Sequence, residues 1–365
     1  MTSEKIRVGV IGANAERGWA SRSHLPALQV LPEFEIAAVC TTREESARQS
    51  ADRFGAAEAY GDHREMLAQA DIDVVAVSVK VPHHYRLTMD ALEAGKHVYT
   101  EWPLAANIQE AREMTDLARA KGVRTMVGLQ ERLTPIYLRL KEVVAEGYAG
   151  EVLACSMSWY QSGVLEMAPA AWWRAGRAAG ANVFTVGFGH LVDALCMALG
   201  EFTEVSAVVA TTVRRWEDPA SGRTVDVTAA DNVLVAGQLE GGATMSIHVA
   251  SVPAHASGYR AEIYGRDGTL MLDASETSSL GTLRLLGAKR DGPGLNEIEV
   301  PDRLTWAPEA AHLDAAFPVA QMWRRFGEVI RGGESEVPSF ETGLNRHRVM
   351  DAIERASETG RKQLL

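Results

Sequence analysis

Apolar positions in the first third of the chain fall in short continuous runs rather than alternating with polar ones. Ile6 to Ile11, Phe34 to Cys40 and Val74 to Val79 are three such runs, and His97 to Thr100 and Arg124 to Val127 are shorter ones. Strands buried on both faces read this way. Between them lie segments of helical period. In Asn107 to Ala120, residues Ile108, Ala111, Met114, Thr115 and Ala118 recur three or four positions apart, and Asn107 with Glu110 has capping-box spacing. Alternating strand and helix predicts an α/β domain over residues 1–128, built on a doubly wound parallel sheet.

After about residue 150 strand-like segments follow one another: Val152 to Tyr160, Glu204 to Val213, Asp231 to Leu239, Ala243 to Val249, Tyr259 to Tyr264, Thr269 to Leu272 and Thr282 to Leu286. Gly241-Gly242 and Asp267-Gly268 mark tight turns between some of them. This texture predicts a second, α+β domain over residues 129–365 with a large, mostly antiparallel sheet. Helices are expected over Gly187 to Leu199, Phe317 to Arg331 and Thr342 to Glu358, and an exposed loop over Trp216 to Asp226.

Composition narrows the classes. The 365 residues exceed what one hydrophobic core usually serves. The formal net charge of −11, with no basic run, argues against nucleic-acid binding and polybasic membrane docking. No apolar stretch has the length of a membrane helix, and the N-terminus lacks a signal-like apolar core. Three scattered cysteines form neither a disulfide framework nor a zinc motif. The expectation is a reduced, cytoplasmic protein.

The strongest local motif follows the first run: Gly9-Val10-Ile11-Gly12-Ala13-Asn14-Ala15-Glu16-Arg17-Gly18-Trp19-Ala20. A dinucleotide-binding turn needs small residues where backbone approaches the pyrophosphate, and a helix start aimed at it. Gly12 fits the tight turn. Asn14 stands where a second glycine is usual, and asparagine tolerates left-handed backbone. Gly18 comes late, implying a longer loop. Cofactor choice depends on the end of the second run. There Cys40-Thr41-Thr42-Arg43 carries no carboxylate, and two hydroxyls with a guanidinium suit a 2′-phosphate. NADP is therefore preferred, with NAD possible. A solvated Arg43 that only opens a helix is the plain structural alternative.

With Ala91-Leu92-Glu93-Ala94-Gly95-Lys96-His97-Val98, Glu101-Trp102-Pro103, Gly128-Leu129-Gln130-Glu131-Arg132, Gly189-His190 and Asp351-Ala352-Ile353-Glu354-Arg355-Ala356, the chain resembles the glucose–fructose oxidoreductase / inositol dehydrogenase (Gfo/Idh/MocA) family over nearly its whole length. The resemblance implies a Rossmann domain, a second domain whose open sheet serves oligomerisation, and hydride transfer at sugar or polyol carbons. It sets Glu101 and Gln130 near the nicotinamide ribose and His84 along the cofactor crevice. The loop Asn14 to Ala20, with Glu101-Trp102, Leu129-Gln130 and Phe188-Gly189-His190, is most similar to the branch containing the yeast galactose-pathway repressor, a non-enzymatic NAD(P)-binding relative.

Two departures matter. Trp102 replaces the family's lysine, and Val186 stands where an aspartate usually precedes the histidine by four residues. His190 remains as the acid/base candidate, because imidazole titrates near neutrality. Lys80 is a second candidate. It follows the third run, beside Val79, at a strand end that faces the ligand crevice in such sheets. Trp102 and Trp173 offer apolar plates for a nicotinamide or sugar face, and Asn182 a polar contact to substrate. Asp193 is read as orienting rather than reacting. No metal is expected: His83-His84 has no further ligand at suitable spacing.

The leading expectation is an NAD(P)-dependent oxidoreductase acting on a carbohydrate or polyol-like molecule, assembled as a homodimer or homotetramer. The rival is a cofactor-binding regulator or sensor without turnover, docking another protein. An enzyme that oxidises and re-reduces its cofactor within one cycle is a third reading.

Overall fold

A computed structural model describes residues 4–274, 283–311 and 315–365. In chain order the elements are β1 (Ile6–Ile11), α1 (Trp19–Arg22), α2 (His24–Val30), β2 (Phe34–Cys40), α3 (Glu44–Phe54), β3 (Glu58–Tyr60), α4 (His63–Gln69), β4 (Val74–Val77), α5 (His84–Glu93), β5 (His97–Glu101), α6 (Ile108–Lys121), β6 (Thr125–Gly128) and α7 (Pro135–Ala145). Then come β7 (Val152–Ser162), α8 (Gly189–Leu199), β8 (Phe202–Ala210), β9 (Arg215–Glu217), β10 (Thr224–Asp226), β11 (Asn232–Leu239), β12 (Thr244–Val252), β13 (Gly258–Gly265), β14 (Gly268–Ala274), β15 (Arg284–Lys289), β16 (Asn296–Glu297), α9 (Ala316–Ile330), α10 (Phe340–Thr359) and β17 (Gln363–Leu364).

Packing divides the chain into two compact units, one of Met1–Leu133 with Thr305–Asn345, the other of Thr134–Leu304 with Arg346–Leu365. A single boundary after residue 128 leaves out the return of residues 305–345 to the first unit. That return has a physical basis: the Val127 amide donates to the Pro338 carbonyl at 2.7 Å, and buried Gln321 on α9 donates to the Leu133 carbonyl at 3.3 Å.

The first unit holds a parallel sheet in the order β3-β2-β1-β4-β5-β6, the doubly wound arrangement that the alternating pattern predicts. Val8, Val10, Val74, Val75, Val77 and Val98 are fully buried, as double-sided burial requires. The edge strand β3 escapes the hydrophobic pattern because only Tyr60 of its three residues is buried. The expected capping box on α6 is half right. Asn107 accepts from the Glu110 amide at 3.0 Å, while the Glu110 carboxylate accepts from the Ala106 amide, one residue before the cap.

The second unit carries a mixed sheet in the order β16-β15-β14-β13-β7-β12-β11-β8-β17. Among the described residues only the β7–β12 pair of this sheet is parallel. Alternation is clear here: Val233, Val235, Met245, Ile247, Ala261 and Ile263 are buried on one face. Ser206, Val208, Leu234, Ala236 and Ser246 are exposed on the other. Of the strand expected over 282–286, residue Thr282 lies outside the described residues. The loop expected over Trp216 to Asp226 is instead a hairpin of β9 and β10, and Trp216 is buried with Ala175, Val227 and Ala229. Its two strands are too short to show a period, so composition alone misled.

Arg346 on α10 is fully buried. It pairs with Glu201 and, at 3.5 Å through Nε, with the equally buried Asp193 of α8. A buried pair broken on one side leaves a charge without compensation. Arg346→Met is expected to cost about 3–5 kcal/mol in urea unfolding, with partial recovery in the Arg346→Met/Asp193→Asn double variant.

Candidate functional site

The turn after β1 is built on a close approach. Gly12 has φ +93°, and a Cβ placed on it would lie 2.1 Å from the Ser78 carbonyl oxygen and 2.8 Å from Val79 Cγ1. Its amide donates to the Cys40 carbonyl at 2.9 Å, and that of Ala13 to the same oxygen at 3.3 Å. Asn14 does not take the left-handed backbone expected of it; His255 is the residue other than glycine with positive φ among those described. Instead its side-chain oxygen accepts the amides of Glu16 and Arg17, each at 3.0 Å, and so closes the longer loop. Gly18, at φ +102°, has no neighbour within 4 Å of a would-be Cβ, so conformation alone requires glycine there. Trp19 then starts α1. Arg53 of α3 donates to the Ala15 carbonyl at 2.6 Å and ties the loop to the sheet's flank.

At the end of β2 the three expected phosphate contacts separate. The Thr41 hydroxyl lies 2.6 Å from Ser46 Oγ and 2.8 Å from the Arg43 carbonyl, so it holds the start of α3. Thr42 and Arg43 are exposed, and Arg43 forms no ion pair among the described residues.

The strand ends of β5 and β6 pair through Glu101 and Gly128. Glu101 is buried and its Oε1 lies 2.6 Å from His24 Nε2. Trp102 is only 5% exposed, so it is a wall rather than a free plate. Gln130, 7% exposed, has a buried Oε1 with no hydrogen-bond partner among the described residues. His84 is buried with Nδ1 2.8 Å from the Pro103 carbonyl and Nε2 3.1 Å from that of Val79. Burial pushes its pKa down against the pull of those carbonyls. Both ring nitrogens thus face backbone carbonyls, and a neutral ring donates to one of the two. Lys80 is exposed at the turn after β4, and Val79 is half-buried. No cluster of three or more His, Cys, Asp or Glu able to hold a metal ion occurs among the described residues.

In the second unit, half-buried His190 lies in the first turn of α8. A π-helical stretch, Val183–Phe188, runs straight into it. Such turns are frequent at functional sites. Asn182 starts this stretch: its side-chain oxygen accepts the amides of Phe184 at 3.0 Å and Thr185 at 3.1 Å, and Thr185 Oγ1 accepts the Asn182 amide at 2.9 Å. The side chain expected to touch substrate is therefore a helix cap. Gly187 is needed because a Cβ there would lie 2.2 Å from the Trp159 ring. Trp173 is half-buried in the short helix Pro169–Arg174. Asp193 is buried three residues beyond His190 and pairs with Arg346.

Sequence alone assigns no role to two buried polar residues of the first unit. His24 is one. The other is Glu131, whose carboxyl burial pushes up to about 7. It sits beside Gln130 in a motif whose spacing says nothing of depth.

Comparison with known proteins places this geometry. Residues 6–129 match the family profile described as "Oxidoreductase family, NAD-binding Rossmann fold" (Gfo/Idh/MocA), and residues 135–274 match that of the Gal80p C-terminal domain. The Gfo/Idh/MocA profile thus covers the Rossmann part of the chain, and the Gal80p profile the part that follows it. Dehydrogenase aclE of Aspergillus oryzae is 36% identical over 211 residues, 56% of this chain and 58% of aclE. The galactose/lactose metabolism regulatory protein GAL80 of Saccharomyces cerevisiae is 30% identical over 256 residues, 65% of this chain and 58% of GAL80. The match thus spans little more than half the length of either relative. Levoglucosan dehydrogenase of Pseudarthrobacter phenanthrenivorans is 25% identical over 96% of this chain and 95% of its own. The crystal structure of a super-repressor mutant of S. cerevisiae Gal80p shares the fold, with a TM-score of 0.88 at 22% identity, covering 99% of this chain and 97% of that one.

Two outcomes test the site's construction. Gly12→Ala combines a left-handed backbone with a backbone clash, and a loss of at least about 2 kcal/mol is expected in urea unfolding. Glu131 is raised from 4.5 to about 7, so its contribution to stability is full below 4.5 and is lost as pH rises through about 7. Glu131→Gln should raise the melting temperature relative to the parent at pH about 8, with the gain vanishing near pH 4.5.

Proposed function

We propose that this protein is an NAD(P)-dependent oxidoreductase acting on a carbohydrate or polyol-like substrate. The observation that carries the reading is the Gly12 turn, a cradle that any side chain would fill. The buried, unpartnered Gln130 Oε1 at the end of β6 fits the same group, since a ribose hydroxyl would satisfy it. The dehydrogenases among the relatives support the reaction class, and levoglucosan dehydrogenase the substrate class.

The residues from Gly12 to Trp19, including Ala13, Asn14 and Gly18, would hold the pyrophosphate. Thr42 and Arg43 would hold a 2′-phosphate, which favours NADP over NAD, while Thr41 shapes the turn beneath them. Glu101 and Gln130 would take the nicotinamide ribose. Val79, His84 and Trp102 wall the crevice. When bound, the nicotinamide exchanges a hydride with the substrate carbon. His190 takes the hydroxyl proton as the alcohol is oxidised and returns it in the reverse direction. Lys80 assists as a cationic donor, and Trp173 stacks on the sugar's C–H face. The exposed sheet face bearing Val208 and Leu234 would seat a second copy, giving a homodimer or homotetramer.

A second reading is a non-catalytic NAD(P)-binding regulator. Buried Trp102 in place of lysine, Val186 in place of aspartate and the GAL80 match favour it.

Reduced-nicotinamide absorbance separates the two, with NADP⁺ and NAD⁺ each offered against sugars, polyols and sugar acids. Turnover that falls about 10²–10⁴-fold in His190→Ala is expected. Tight nucleotide binding with no turnover on any substrate would favour the regulator. Arg43→Ala should weaken NADP⁺ on the order of tenfold and leave NAD⁺ nearly unchanged.

A further inference from the structure

We infer that His24 is a positioning residue for the nicotinamide half of the site, holding the Glu101 carboxylate through a buried relay that begins on Trp323. Trp323 Nε1 lies 3.1 Å from His24 Nδ1, and His24 Nε2 lies 2.6 Å from Glu101 Oε1. His24 and Trp323 are wholly buried and Glu101 nearly so. An indole N–H can only donate. His24 Nδ1 must therefore accept, the ring proton sits on Nε2, and Nε2 donates to the carboxylate. The indole thus fixes the tautomer, as a hydrogen bond to one ring nitrogen generally does.

The other carboxylate oxygen is accommodated by a glycine. A Cβ on Gly128 would lie 2.6 Å from Glu101 Oε2, so Oε2 occupies the space that this glycine leaves. Tyr99 and Trp323 pack edge-on to the His24 ring, with centroids at 4.8 and 5.9 Å. No solvent path is needed to explain the tautomer, because the protein supplies both partners.

The relay also spans the site. His24 opens α2, and Ser23 just before it donates to the Trp19 carbonyl at 2.8 Å, at the end of the Gly12 loop. One short stretch of chain therefore joins the pyrophosphate turn to the carboxylate at the end of β5. The inference rests on the reading that Glu101 meets the nicotinamide ribose.

The test is calorimetric titration of the full chain with NADP⁺ and NAD⁺. Each is compared with a fragment lacking the nicotinamide ribose, 2′,5′-ADP and 5′-AMP respectively. His24→Ala is expected to weaken the dinucleotide about tenfold or more and the fragment less than about twofold. His24→Gln keeps an acceptor for Trp323 and a donor for Glu101 and should restore most of the loss. Trp323→Phe, which removes the N–H that fixes the tautomer together with part of a buried ring, should fall between, with any packing loss acting equally on dinucleotide and fragment. Should His24→Ala fail to fold, the Gln and Phe variants carry the same comparison. Unchanged dinucleotide affinity, or equal loss for dinucleotide and fragment, would overturn the positioning role while leaving the cofactor reading intact. A parent protein that binds neither dinucleotide would sink that reading, and this inference with it.

Discussion

The first unit is organised around a place where two backbones nearly touch. The Ser78 carbonyl occupies the space in which a side chain on residue 12 would begin. Strand β1 lies between β2 and β4, so its exit turn is fixed from both flanks, by Cys40 on one side and Ser78 on the other. That contact forces glycine at position 12. It also sets where Val79 and Lys80 emerge. His84 then locks the same segment by placing its ring between the Val79 and Pro103 carbonyls. The crevice walls follow from a steric exclusion rather than from attraction between side chains.

Within those walls the polar groups are unevenly satisfied. Glu101 has His24, and His84 has two carbonyls. The Gln130 oxygen is buried without a hydrogen-bond partner among the described residues. Buried polar atoms rarely go unpaired without a reason. The imbalance falls at the end of β6, where ligands of doubly wound sheets gather. A carboxyl pushed to about 7 at Glu131, one residue on, adds a proton that exchanges near neutrality.

Much of the fold was legible because its physics is local. Double-sided burial writes continuous apolar runs, and β1, β2, β4, β5 and β6 all show them. Single-sided burial writes alternation, and β11 to β13 show that. What escaped depends on contacts that sequence spacing does not encode. The β9–β10 hairpin is too short to display a period, and the burial of Trp216 depends in part on Ala175, Met167 and Trp172 from another segment. Asn14 and Asn182 both stand in the expected places, yet each spends its side-chain oxygen on backbone amides two and three residues ahead. Asparagine so often competes for nearby backbone that this local use is the stronger prior. The His24–Trp323 bond joins residues 299 positions apart, and no pattern along the chain could announce it.

The replacement of lysine by Trp102 bears on turnover and binding differently. A lysine would bring a mobile charge and three donors. A buried indole brings bulk and at most one donor. Under the proposed reading, proton transfer then falls to another side chain, and His190 would take that part. Under the same reading nucleotide binding makes no such demand, because it would rest on the glycine turn, the strand-end polar groups and a positioned carboxylate. A chain built this way can lose catalysis without losing its cofactor, and so dehydrogenases and regulators can share one scaffold. The relay through His24 belongs to the binding side of that division. It stabilises the position of a carboxylate and transfers no proton in the reaction, so it serves an enzyme and a sensor equally.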